Sequence, residues 1–413
     1  MTARPPPLGS YQRRLIAFLS VATFFEGFDF FALAQILPSL RAEMGLSRAQ
    51  TGVLIAVVNS GTVLAYLLVR KADQWGRRRA LTVTITGYTI ASLLTGLSRD
   101  VYTFAALQLL ARVFLIGEWA TAMIYAAEEF PAARRGMVIG VIQACSSLGA
   151  IVCAGVVPLL LATPLGWRSV FFVGAIPLTI VAIARRNLRE TARFERAAET
   201  RGVARPSLLR LPRSPYRGRM LQLALIWGLT YVCTQNAVTF WKEFAVNERG
   251  MSDAQVGASL SLAALAAMPL VFFAGKLLDV VGRRLGATLI FTVTSLGVLG
   301  SYALESRAAL TCGLVLGIFG SSAVLPVLNA YTAELFPTEL RSDAFAWSNN
   351  LLGRIGYVLS PLAVGLAATY VGWGKAVSAT AIFPMIALAL ILWLLPETRG
   401  KELEETSRPP QVA

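Results

Sequence analysis

The sequence predicts an all-α polytopic membrane protein, with twelve transmembrane helices in two pseudo-symmetric six-helix bundles. Three observations lead there. Of 413 residues, 55% are apolar and 15% charged, and the mean hydropathy is +0.61, so there is too little charge to cover a soluble surface. Apolar runs of about 20 residues, enough to cross about 30 Å of hydrocarbon, recur along the chain. Short sequence blocks return at a near-constant spacing, so one half of the chain copies the other.

In order, the spans are read at 14–38, 49–69, 80–98, 102–125, 136–161, 168–186, 219–242, 254–275, 285–304, 308–332, 344–368 and 374–395. The bundles take 1–186 and 219–396, with a basic cytoplasmic linker at 187–218 and a cytoplasmic tail at 397–413. Eleven arginines fall between Arg185 and Arg219, a composition suited to the anionic surface of a membrane. The first ten residues are Pro-rich and precede an apolar run too long for a cleavable signal segment, so none is expected.

Charge is distributed by side. With both termini inside and residues at span ends counted with the adjoining loop, cytoplasmic segments hold 28 of the 38 Lys and Arg, the opposite loops hold 8, and 2 lie deep inside spans. This positive-inside bias fixes the orientation, and it accounts for the net charge of +15 without a nucleic-acid partner. Cys145, Cys153, Cys233 and Cys312 all fall in spans, so neither a disulfide framework nor a metal site is expected. No nucleophile–base cluster, cofactor motif or phosphate-binding loop is present, which argues against an enzyme.

The repeat is legible in four blocks. Gly45-Leu46-Ser47-Arg48-Ala49-Gln50 returns as Gly250-Met251-Ser252-Asp253-Ala254-Gln255, 205 residues on. Asp73-Gln74-Trp75-Gly76-Arg77-Arg78 returns as Asp279-Val280-Val281-Gly282-Arg283-Arg284, 206 residues on. Glu128, Pro131 and Arg135 return as Glu334, Pro337 and Arg341, and Leu188-Arg189-Glu190-Thr191 returns as Leu395-Pro396-Glu397-Thr398. Six spans separate the copies, an even number, so both halves have the same topology.

These blocks resemble the major facilitator superfamily over nearly the whole chain. The loop signature of that family, Gly-x-x-x-Asp-x-x-Gly-Arg-Lys/Arg, is complete from Gly275 through Asp279 and Arg283 to Arg284, and departs once in the first copy, at Val69. The resemblance implies a gate at the cytoplasmic mouth. Asp73 and Arg77 form one side of it and Gly275, Asp279 and Arg283 the other, with Glu128, Arg135, Glu334 and Arg341 behind them. Each loop acid is expected near the N-terminus of a neighbouring helix, where the dipole favours negative charge.

Charged residues inside spans of one half only are candidates for chemistry, because a charge at membrane depth costs several kcal/mol unless paired or wetted. Glu26 and Asp29 in the first helix meet this test; the second half has Tyr231 and Thr234 there. Three residues apart, they lie on nearly one face, about 4.5 Å apart along the axis, too close for both to stay ionised in low dielectric. With no histidine in the chain, a proton relay must use carboxylates. Arg112 and Glu118 in the fourth helix are likewise unmatched, and Arg112 lies at the depth of Asp29. A structural ion pair between Asp29 and Arg112, or a hydrogen bond between Glu118 and the backbone of a neighbouring helix, would explain the same residues.

Arg354 lies mid-span in the eleventh helix, within Asn349-Asn350-Leu351-Leu352-Gly353-Arg354-Ile355-Gly356, and no second-half span carries a mid-membrane acid. A planar donor fork there suits a carboxylate, unless it pairs with Glu118 or Glu26. Gln235, Asn236, Gln143, Asn350 and Tyr331 are weaker candidates to orient a polar substrate, and Trp119, Phe30 and Trp347 to shape an apolar pocket.

Within the superfamily, Glu26-Gly27-Phe28-Asp29 resembles the Asp-Gly-x-Asp of aromatic acid:proton symporters, from which Glu118 departs. Gly117-Glu118-Trp119 resembles metabolite:proton symporters, and Gly353-Arg354-x-Gly356 with Pro396-Glu397-Thr398 resembles the organic-ion and sugar branches. The Gly-Pro signature of drug antiporters is absent from the fifth helix. The expected function is proton-coupled symport of a small organic anion, by rocking of the halves around a midplane site. Antiport exporting a drug or metabolite is the alternative. The proton is the coupling ion and no other cofactor is expected. The expected location is a bacterial-type inner membrane, with the protein a monomer in the bilayer.

Overall fold

The computed structural model describes residues 9–130, 132–184, 190, 210–401 and 403–407. Among them every regular element is a helix. The first half contributes α1 (Ser10–Glu43), α2 (Arg48–Trp75), α3 (Arg77–Thr95), α4 (Val101–Glu129), α5 (Ala132–Leu161) and α6 (Arg168–Ala184). The second contributes α7 (Arg217–Thr239), the short α8 (Trp241–Asn247), α9 (Asp253–Val281), α10 (Arg283–Ala303), α11 (Arg307–Glu334) and α12 (Thr338–Ala344). A π-helix (Phe345–Gly353) then runs into α13 (Arg354–Ala379), followed by α14 (Ile382–Leu394) and a last turn, α15 (Leu403–Thr406). Gly372, at φ 85°, breaks α13 into the end of one span and the start of the next.

Eight helical stretches are long and apolar enough to cross a membrane unaided, the last of them, Glu339–Leu394, containing the break at Gly372. Counting the more polar α3 and α7, the short α6 and the two sides of Gly372, six helices fall in each half, as the apolar runs predict. Most of the basic linker, 187–189 and 191–209, lies outside the described residues.

The repeated blocks are helix punctuation. Gly45 and Gly250 take φ 63° and 64°, a conformation only glycine adopts freely, and turn the chain into the next helix. Ser47 then accepts from the Gln50 N–H at 3.2 Å while the Gln50 side chain accepts from the Ser47 N–H at 2.9 Å. Ser252 and Gln255 repeat this capping box at 3.3 and 3.0 Å.

By packing, the chain divides into unit 1, Met1–Met44 with Val57–Ala204, and unit 2, Gly45–Ala56 with Arg205–Ala413. Unit 2 thus takes in the first turns of α2. A Cβ on Gly52 would lie 2.4 Å from the Pro361 carbonyl oxygen, and Arg48 donates to the Ala368 carbonyl at 2.9 Å. In unit 1, α1 crosses α5 backbone to backbone: a Cβ on Gly27 would lie 1.9 Å from the Ser146 carbonyl oxygen, and one on Gly149 would lie 1.9 Å from that of Phe24.

Candidate functional site

The close α1–α5 crossing explains the glycine in Glu26-Gly27-Phe28-Asp29. It brings α5 against the acids, so that Ser146 donates to Glu26 Oε2 at 3.2 Å. Asp29, one turn on, is buried at 6% exposure, close to the Tyr88 hydroxyl on α3 and the Arg112 guanidinium on α4. The same guanidinium acts on Glu26. Arg112 is 3% exposed and its Cζ lies 5.6 Å from the Phe30 ring centroid, while its Nη1 has no hydrogen-bond partner. Among the described residues no direct ion pair closes between Asp29 and Arg112. Two carboxylates and one guanidinium therefore share a buried site with an excess of one negative charge when all three are ionised.

Glu118 faces elsewhere. Its Oε2 accepts from the Thr84 hydroxyl of α3 at 2.5 Å, a side-chain contact and not the backbone contact expected as the alternative to coupling. Gln143 and Trp119 bond each other, Nε1 to Oε1 at 3.4 Å, across α4 and α5.

In unit 2 the site forms where α7 crosses the π-helix and α13. A Cβ on Gly353 would lie 2.7 Å from Trp227 Cβ, and one on Gly356 would lie 2.2 Å from the Gly228 carbonyl oxygen. The glycines flanking Arg354 thus let α7 come close, which places Arg354 against two tyrosines. Its Cζ is 5.2 Å from the Tyr231 ring centroid and 4.9 Å from that of Tyr357. The rings meet edge to face at 5.5 Å and 84°, and Trp227 stacks on Tyr231 at 5.4 Å. Arg354 has no ion pair or hydrogen bond among the described residues. Arg354 is partly exposed, so each cation–π contact is worth about 0.5–1 kcal/mol or somewhat more, against the roughly 2.5–3.5 kcal/mol that insertion scales assign an Arg at the centre of a span. The rings offset part of that cost and leave the N–H fork open.

The Tyr231 hydroxyl donates to Asn349 Oδ1 at 2.7 Å. Gln235, one turn beyond Tyr231 on the same face of α7, is buried with its Oε1 unpartnered, while its amide nitrogen donates to Thr239 at 3.2 Å. Asn350 is half-buried on the π-helix with no partner among the described residues. Two sequence candidates lie apart from this group. Asn236, about 100° round the helix from Gln235, bonds the Val232 carbonyl at 2.6 Å and turns its own backbone toward Tyr302. Tyr331 sits one turn from Glu334 among the charges at that end of α11, its hydroxyl unpartnered. Trp347 packs on the apolar core of unit 2.

The two signature loops are built alike. Arg77 binds Glu128 at 2.9 Å in unit 1, and Arg283 binds Glu334 at 2.8 Å and Asp279 at 3.2 Å in unit 2. The side chains of Asp73 and Arg135, and Gly275, lie outside what is described. Arg341 stands outside the network, with Nε and Nη2 unpartnered. The start of each following helix is held by a carboxylate from further along the chain. Asp279 is exposed beside Arg283, whereas Glu397 accepts from the N–H groups of Arg283 and Arg284, both at 2.9 Å, at the start of α10. Glu190 does the same for α3, accepting from Arg77 at 2.9 Å and Arg78 at 3.1 Å. Burial pushes the Glu397 carboxyl up, but its four backbone N–H partners outweigh this and hold it below the usual range.

At the opposite ends, the repeat places Glu43 and Glu248 at equivalent positions. Glu43 binds Arg168 at 2.7 Å and accepts from Trp167 Nε1 at 2.7 Å. Glu248 accepts from the backbone N–H groups of Trp373 and Gly374 at 2.5 and 3.0 Å, and lies 3.7 Å from Arg48. Neither acid carries a signal in the sequence beyond its place in the repeat. Tyr88, Tyr231, Tyr357 and Asn349 were likewise not singled out as site residues.

A family model described as Major Facilitator Superfamily matches residues 19–243 and 223–412. A probable 4-methylmuconolactone transporter of Cupriavidus pinatubonensis is 29% identical, covering 92% of this chain and 89% of its own length. A gallate transporter of Pseudomonas putida is 26% identical, covering 94% and 92%, and a cis,cis-muconate transport protein of Acinetobacter baylyi is 26% identical, covering 89% and 91%. Among solved structures, a D-xylose–proton symporter superposes with a TM-score of 0.75 at 16% identity, over 95% of this chain and 100% of that one.

Proposed function

The chain belongs to the Major Facilitator Superfamily, and from that premise we propose that it carries a small organic carboxylate across the membrane together with a proton, by alternating access. The observation that carries this reading is Arg354: a mid-span guanidinium held by two aromatic rings, with its donor fork unoccupied and no acid in its unit's span cores. A fork of this kind favours planar, bidentate acceptors such as a carboxylate. Relatives named for gallate and cis,cis-muconate, both carboxylates, support the same class.

Glu26, Asp29 and Arg112 supply the coupling. One proton on either acid balances the buried group, so protonation is favoured when the site is dry and disfavoured when water enters. The protein works as a monomer in the inner membrane, with both termini cytoplasmic; the Lys and Arg distribution supports that orientation. The signature loops form the cytoplasmic gate, their ion pairs holding one state.

The test is anion binding to detergent-solubilised protein by calorimetry, with carboxylates and neutral isosteres. A hydrogen bond to a charged group is worth about 1.5–3 kcal/mol, so Arg354→Lys weakens carboxylate binding about 10- to 100-fold and Arg354→Ala weakens it further. Wild-type affinity in folded Arg354→Ala protein would remove the anion-site reading.

A further inference from the structure

The π-helix before Arg354 raises a question of register. Residues five apart in an α-helix lie about 140° apart and face different sides. In a π-helix the backbone bonds run i to i+5 and the turn is wider, so residues five apart are brought nearer to one face. Asn349 and Arg354 are five apart, and the segment between them, up to Gly353, is π-helical. Both reach Tyr231: Arg354 over its ring at 5.2 Å, and Asn349 accepting from its hydroxyl at 2.7 Å. The π register, together with the glycines that admit α7, therefore sets a neutral polar pair beside the open fork of Arg354.

The polar capacity of that pair is not exhausted. Tyr231 gives its proton to Asn349 Oδ1, so its oxygen keeps lone pairs. The Asn349 amide nitrogen has two N–H donors and no partner among the described residues. Acceptor and donor side by side match one group in particular, a hydroxyl, which donates to one and accepts from the other.

We propose that Asn349 and the Tyr231 hydroxyl form a specificity point that reads a hydroxyl on the transported carboxylate, placed beside Arg354 by the π-helical register. This deepens the anion reading and depends on it: Arg354 takes the charge, and the neutral pair selects among anions. A packing role for the pair would shift every substrate alike. A reading role shifts hydroxylated substrates and spares their unsubstituted parents.

The experiment compares benzoate with the three monohydroxybenzoates as ligands of the full-length protein, by calorimetry or by competition. Wild type binds at least one hydroxybenzoate about 10-fold tighter than benzoate, the scale of one or two neutral hydrogen bonds. Tyr231→Phe, which keeps the ring under Arg354, and Asn349→Ser each bring that ratio near one, chiefly by weakening the hydroxybenzoate. Arg354→Ala weakens all four ligands together. A wild type that binds none of the four or shows no preference overturns the proposal, as does a preference that survives both variants. If Arg354→Ala lowers every affinity while the ratio persists in Tyr231→Phe and Asn349→Ser, the specificity point falls and the anion site stands. If Arg354→Ala changes nothing, both fall.

Discussion

Asp29 and Glu26 differ in their neighbours, and the difference sets what each variant does. Asp29 lies deeper, beside Tyr88 and Arg112, whereas Glu26 is partly exposed and takes a hydrogen bond from Ser146 at 3.2 Å. Asp29→Asn removes the buried titrating group beside Arg112, so accumulation driven by a pH gradient is lost while exchange down a gradient persists. Glu26→Gln reduces accumulation less, because one acid still cycles a proton. Uptake into proteoliposomes with and without an imposed pH gradient separates the two, and wild-type accumulation by both variants would refute carboxylate coupling in α1. These residues were legible because they break the internal repeat. Tyr231 broke it too, at the position matching Glu26, but it was read as the absence of an acid. Its role as a ring under Arg354 depends on a helix crossing that no spacing within α7 reveals.

At the scale of elements, the repeat blocks announced turns, caps and loop pairs correctly because each is local: a glycine at positive φ and a Ser-x-x-Gln box act within a few residues. The π-helix was not legible, since periodicity analysis assumes 3.6 residues per turn and puts Asn349 and Arg354 on different faces. Asn236 and Tyr331 have their contacts away from Arg354, a placement that depends on helix face and that polarity alone does not give. Glu397 gives an element-scale prediction. Its folded pKa lies below its ordinary value of 4.5, so its hold on α10 is fully present above that value and is lost as pH falls through the lower folded value. Thermal unfolding of wild-type protein followed downward through that acidic range shows a loss of melting temperature. Glu397→Gln starts lower at neutral pH and shows a shallower loss. Parallel curves for the two proteins would exclude this contribution.

For the molecule as a whole, the number and order of spans followed from composition and length, because a bilayer demands about 20 apolar residues per crossing whatever the packing. The proposed orientation rests on charge, and it makes a direct prediction. Single cysteines at Gln74 and Val280, in the two signature loops, react with a membrane-impermeant thiol reagent added to inverted vesicles and stay protected in intact cells. Labelling of either from outside reverses the topology. The excess of a single negative charge in the Glu26–Asp29–Arg112 group has a consequence for energetics. If one proton balances that group and the cargo bears one carboxylate, the loaded carrier moves no net charge across the bilayer. The membrane potential, worth about 2.3 kcal/mol per charge at 100 mV, then does no work on the loaded step. The gradient the carrier can sustain is set by acidity alone, about tenfold in cargo for each pH unit. Such a carrier would keep concentrating its cargo in a depolarised cell and would stop in an alkaline medium.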